Sequence, residues 1–185
     1  GKAMGKTGSQ IVMHGEAMGE ALMALADGIV ESSQERHELV LVGIQTGGVH
    51  LARRLQRAVL ERHALSVPVG ALDINLYRDD WTRLHTQPVV KATDLPFTID
   101  DREVILVDDV LFTGRTIRAA LDALMDYGRP RTVRVAVLVD RGHRELPLFA
   151  QIIGLLLDTR LDEQVNVLLA EKDGLDQVGT DCASA

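Results

Sequence analysis

The run Val104–Ala120, V-I-L-V-D-D-V-L-F-T-G-R-T-I-R-A-A, constrains this chain more than any other stretch. Val104 to Val107 are all apolar, three of the four β-branched, and read as a strand buried on both faces. Two carboxylates, Asp108 and Asp109, follow side by side, then a short segment with Thr113, Gly114 and Thr116. From Ile117 the spacing turns helical, with Ile117, Ala120, Leu121 and Leu124 on one face. A strand, a polar turn and a capped helix would account for Asp109, Thr113 and Gly114. They would not account for adjacent acids directly after an aliphatic run, because burying charge there is costly. In an open parallel sheet, ligands bind beyond the carboxyl ends of the strands. A Gly-containing turn at a helix N-terminus suits a phosphate, and neighbouring acids suit sugar hydroxyls or a magnesium-bound diphosphate.

The same grammar recurs along the chain. Leu39–Ile44 is a second buried strand, followed by Gln45-Thr46-Gly47-Gly48 and a helix from Val49 to about Arg62. That loop suits a second anionic group, or it is a plain turn in which Gly relieves the backbone. Before it, Met13–Val30 has the period of an amphipathic helix, with Ala17, Ala21, Leu22, Leu25 and Ile29 on one face. Val67–Leu76 reads as a third strand. The chain from Tyr77 to Ile99 is polar, broken by Pro88 and Pro96, and reads as a long irregular insert. Such inserts in compact domains serve as lids, and Arg78 lies at its root. Gly128 and Pro130 end the central helix. Val133–Val139 is a fourth strand, with Asp140-Arg141-Gly142-His143-Arg144-Glu145-Leu146-Pro147 at its end. Gln151–Leu157 and Gln164–Ala170 complete an α/β arrangement.

At 185 residues the chain is expected to form one domain. We expect a mobile N-terminus over residues 1–10, the domain over 11–178 and a tail over 179–185. Gly5-Lys6-Thr7 echoes a phosphate loop but lacks the spacing and the preceding strand. No apolar run approaches a membrane span, and the N-terminus lacks a signal-like pattern. The single cysteine, Cys182, cannot form an internal disulfide, so a reducing cytoplasm is expected. A net charge of −7 excludes a chain that is basic overall and binds nucleic acid by bulk charge. The histidines show no metal-ligand spacing, and no Ser-His-Asp or Cys-His set stands out.

The string Val104–Thr116 closely resembles the phosphoribosyl-pyrophosphate (PRPP) signature of the type I phosphoribosyltransferase family. The resemblance implies an α/β fold with a mostly parallel central sheet flanked by helices, a small hood and a flexible lid loop. It implies that Asp108 and Asp109 hold the ribose and, through ribose and diphosphate, magnesium. Val110, Leu111, Phe112, Thr113, Gly114, Arg115 and Thr116 would wrap the 5′-phosphate. Thr46, Gly47 and Gly48 would hold pyrophosphate, and Arg78 would close over it as the third catalytic residue. Arg141 and Val165 would line the base pocket.

Further strings narrow the resemblance: D-I-x-L-Y-R-D-D at 73–80, D-Y-G-R-P-R, and A-V-L-V-D-R-G-H-R-E-L-P. They resemble the branch that joins uracil phosphoribosyltransferase activity to attenuation of pyrimidine-operon transcription. That branch makes UMP and diphosphate from uracil and PRPP with magnesium. It also binds leader mRNA when UMP or UTP is present, and it forms homodimers or larger homo-oligomers. This chain departs from the pattern in a consistent direction. Gly47 stands where the branch carries Arg, and Gln45 where relatives often carry Lys. The first helix has no Lys or Arg, and Leu148-Phe149-Ala150 and Gly154–Thr159 replace segments that carry cations. RNA affinity rests largely on phosphate neutralisation, so these losses weigh against attenuation and favour nucleotide chemistry. A phosphoribosyltransferase for another base, or a nucleotide-sensing regulator with weak catalysis, is the alternative.

Overall fold

The computed structural model describes residues 8–78 and 86–182. Six strands form the main sheet in the order β4-β3-β2-β5-β6-β7. They are β2 (Leu39–Ile44), β3 (Val69–Arg78), β4 (Thr86–Asp94), β5 (Glu103–Leu111), β6 (Thr132–Asp140) and β7 (Ile152–Leu156). β2 pairs in parallel with both β3 and β5, and β5 and β6 continue the parallel run to β7. Only β4 runs antiparallel, against β3.

Alternation along the central strands splits the core in two. Leu39, Leu41, Ile105 and Val107 face one side, where α1 (Gly15–Glu31) and α2 (Gly47–His63) pack through Leu22, Ile29, Leu51 and Leu55. Val40, Val42, Val104 and Leu106 face the other, against Ile117, Ala120 and Leu124 of α3 (Arg115–Met125). Every residue of β2 is buried, which is why its sequence shows no polar alternation.

A second sheet of three antiparallel strands forms a hood, in the order β1-β9-β8. It joins β1 (Ser9–His14), β8 (Glu163–Leu168) and β9 (Gln177–Cys182), with the short α4 (Ala170–Asp173) before β9. Ser9 and Gln10 therefore belong to a strand rather than to an N-terminal tail, and Gly179 to Cys182 belong to the hood's central strand. Residues 1–7 lie outside the described residues. Arg54 on α2 fastens the hood. Its guanidinium donates to both carboxylate oxygens of Asp176, at 2.9 and 2.7 Å, and to Glu171.

The insert after β3 differs from the sequence expectation. Residues 86–94 are the edge strand β4 and pair with β3 in register, Leu76 opposite Pro88 and Tyr77 opposite Gln87. The prolines that read as breaks are tolerated here because one side of an edge strand has no ladder to complete. Residues 79–85, where the lid expectation centres, lie outside the described residues.

Candidate active site

Strand β5 does not stop at its aliphatic run. It continues through both acids to Leu111, paired with β6 as far as Asp140. Asp108 is therefore buried, at 8 % exposure, while Asp109 is partly exposed at the strand's open end. The Asp109 N–H donates to Asp108 Oδ1 at 2.8 Å, and the Val110 N–H donates to Asp109 Oδ1 at 2.8 Å. Burial, with the Asp109 carboxylate beside it, pushes the Asp108 carboxyl well above the ordinary carboxylate range.

A cavity of about 240 Å³ opens at this end of β5. Asp108, Val110, Leu111, Phe112 and every residue from Thr113 to Ile117 line it. Gly114 precedes α3 with φ +94°, a left-handed conformation that glycine adopts without a Cβ penalty. No side chain caps α3, which leaves N–H groups of its first turn available to an anion. The sequence-predicted ribose acid Asp108 and the whole predicted phosphate loop thus share one concavity.

The segment after β6 braces that loop. Glu145 N–H donates to the Thr113 carbonyl at 2.9 Å. Arg144 donates to the carbonyls of Phe112 at 2.6 Å and Leu148 at 2.9 Å, and to the buried carboxylate of Asp140 at 2.5 Å. Arg141 is 6 % exposed and stacks its guanidinium 4.0 Å from the Phe112 ring centroid. Its Nη2 donates to the hood carbonyls of Arg160 at 3.0 Å and Glu163 at 2.7 Å. Its Nε is buried with no hydrogen-bond partner among the described residues. Burial lowers the guanidinium's pKa, with the Glu163 carboxylate acting against that shift. The brace formed by Arg144 and Asp140 was not singled out in the sequence. The only signal was a charge-rich string at a strand end, with no indication of which charges pair.

Thr46, Gly47 and Gly48 reach the site from the other side. Thr46 precedes α2, and Gly47 and Gly48 form its first turn. Both glycines are buried against β5. A Cβ on Gly47 would lie 2.5 Å from Asp109 Oδ2, and one on Gly48 would overlap the Val107 carbonyl oxygen. Val165 lies on β8 opposite Thr180, partly buried on the core and two residues beyond Glu163, whose carbonyl holds Arg141. Arg78 is the last residue of β3, and its side chain lies outside the described residues.

Comparisons with known proteins agree with this arrangement. The phosphoribosyl transferase domain family matches residues 9–167. The bifunctional protein PyrR of Syntrophobacter fumaroxidans is 64 % identical over 175 residues, covering 95 % of this chain and 94 % of that protein. The bifunctional protein PyrR of Ligilactobacillus salivarius is 54 % identical over 164 residues, covering 88 % and 92 %. Among solved structures, a hypoxanthine phosphoribosyl transferase of Trypanosoma cruzi superposes with TM-score 0.74 at 16 % identity, covering 97 % of this chain and 94 % of that one. A hypoxanthine phosphoribosyltransferase of Staphylococcus aureus superposes with TM-score 0.70 at 17 % identity, covering 93 % and 90 %. At such identities these structures speak for the fold alone. Family match, close relatives and shared fold lead to one statement: the chain belongs to the phosphoribosyltransferase family and, within it, to the PyrR proteins.

Proposed function

We propose that this protein transfers the phosphoribosyl group of PRPP to uracil, giving UMP and diphosphate. The observation that carries this reading is the cavity that Asp108 shares with the Thr113–Thr116 turn and the start of α3. Uracil N1 forms a bond to the anomeric carbon while the bond from that carbon to the pyrophosphate oxygen breaks. The electron pair leaves with diphosphate, and the N1 proton is lost to solvent. Asp108 and Asp109 hold the ribose hydroxyls and stabilise positive charge developing on the ring. Thr113 to Thr116 hold the 5′-phosphate through backbone N–H groups and hydroxyls. Thr46, Gly47 and Gly48 face the pyrophosphate, with Arg78 closing over it. Arg141, held by hood carbonyls and stacked on Phe112, borders the base together with Val165.

Magnesium fits this donor set. Adjacent carboxylates and PRPP oxygens are the hard ligands it takes, one or two carboxylates sufficing when substrate phosphates complete the shell. When bound, it neutralises the leaving diphosphate.

Leader mRNA of pyrimidine genes is the second partner in this reading, and nucleotide chemistry is the stronger half of it. Arg141 and Arg144 commit their guanidiniums to internal acceptors, and Phe149 and Leu156 are exposed where cations would serve RNA. The protein acts in the cytoplasm as an assembly of at least two copies. No helix among the described residues is long and apolar enough to cross a membrane.

A labelled-base panel with PRPP and magnesium, run beside a gel shift with pyrimidine leader RNA, tests the reading. Uracil is expected to be converted and purines and orotate to be left unchanged, with RNA retarded weakly and only at low salt. Preferred conversion of another base would overturn the uracil assignment. Tight, salt-tolerant RNA binding without turnover would favour a purely regulatory protein.

A further inference from the structure

Gly47 occupies a position where the backbone does not require glycine. The positive-φ glycines among the described residues are Gly114, Gly128, Gly142 and Gly174. What Gly47 provides is space. A Cβ there would lie 2.5 Å from Oδ2, 2.9 Å from Cγ and 3.2 Å from Cβ of Asp109. The carboxylate of Asp109 thus lies directly on the first turn of α2.

Neither side of this contact yields freely. Asp109 Oδ1 accepts from the Val110 N–H at 2.8 Å, and the Asp109 N–H donates to Asp108 at 2.8 Å. Swinging the carboxylate away breaks the first of these. The helix is fixed as well, because Gly48 sits so close to β5 that its own Cβ would overlap the Val107 carbonyl. Leu51 and Leu55, fully buried in the core, hold the next turns of α2. A side chain at position 47 is therefore accommodated by moving the Asp109 carboxylate rather than by moving α2.

We propose that Gly47 is a positioning residue for PRPP, setting the orientation of Asp109 so that the α2 loop and the ribose-binding acid form one rigid unit. This inference rests on the reading of the cavity as a PRPP site. It assigns Gly47 a steric role that acts through another residue, separate from any contact its own N–H makes with substrate.

A double-mutant cycle separates the two roles. PRPP binding in magnesium buffer is measured by titration calorimetry on the full chain for wild type, Gly47→Ala, Asp109→Asn and the double variant. Gly47→Ala is expected to weaken PRPP about fivefold or more in the wild-type background and by less than about twofold in the Asp109→Asn background, a non-additivity typical of residues in contact. In steady-state assays the KM for PRPP is expected to rise in Gly47→Ala while the KM for uracil stays unchanged. Wild-type affinity in Gly47→Ala would overturn the proposal. So would equal losses in the two backgrounds, which is also the outcome if the substitution simply damages the fold. A wild-type protein that does not bind PRPP would instead overturn the reading of the cavity, and this inference with it.

Discussion

Two chemically identical residues, one peptide bond apart, are given unequal surroundings. Asp108 points into the cavity from a buried strand position, and Asp109 lies on the helix turn at the strand's open end. The sign of the consequence follows from linkage. The native pKa of Asp108 lies above its unfolded value, so its favourable contribution is full below the unfolded pKa of about 3.9 and is lost as pH rises toward and through the native value. Asp108→Asn keeps an oxygen for the Asp109 N–H and removes the titrating group. Its melting temperature is expected to exceed that of the wild type at pH 8, with the gap narrowing on acidification to pH 5. Melting curves at the two pH values check this, and a gap independent of pH would contradict it. The adjacent acids were legible in the sequence because charge after a buried run demands a reason. Their inequality was not, because it depends on β5 continuing to Leu111 and on how closely α2 approaches, and neither has a local signature.

The elements around the site were read well where periodicity is strong and poorly where pairing is remote. β2, β5 and β6 announced themselves as aliphatic runs, and α2 and α3 by their apolar stripes. β4 did not, because an edge strand accepts prolines and polar residues that read as an irregular insert. The string after β6 displayed its charges but not its partners. Arg144 reaches across to Phe112, and Arg141 to Arg160 and Glu163, contacts that exist only after the strands are ordered. Arg54 is the same kind of residue. It stands on the helix that begins at the candidate pyrophosphate loop, and it holds two acids that belong to the hood segment. Those acids hold its guanidinium pKa above the usual value, Glu171 first and Asp176 second. Arg54→Met leaves both carboxylates facing an apolar stem. With the partners about a third exposed, the expected loss is about 1–2 kcal/mol. Hydrogen exchange is expected to quicken in β9 before it changes in β5, whereas uniform quickening would contradict a local clasp.

Across the whole molecule, the sequence indicated the sheet class and the location of the site but not how the chain closes over it. The hood is assembled from both ends of the chain, β1 pairing with β9 and β9 with β8, and those strands are short and largely polar. A polar strand paired only with its own sheet has no aliphatic run to reveal it, so both ends read as tails. The hood bears on the site because Arg141, rooted in β6 and bonded to hood carbonyls, joins it to the Phe112 ring beside the phosphate loop. Four regions distant in sequence, the turn after β5, the start of α2, the brace after β6 and the hood, thus meet around one cavity. The central claim is that this cavity performs phosphoribosyl transfer through its paired acids. Conversion of labelled uracil and PRPP to UMP, compared between wild type and Asp108→Asn/Asp109→Asn, tests it most directly. The account predicts UMP formation by the wild type and a loss of at least about a hundredfold in the double variant, the scale expected when electrostatic stabilisation of the transition state is removed, with a folded protein by circular dichroism. Turnover by the folded double variant at near wild-type rates would contradict it.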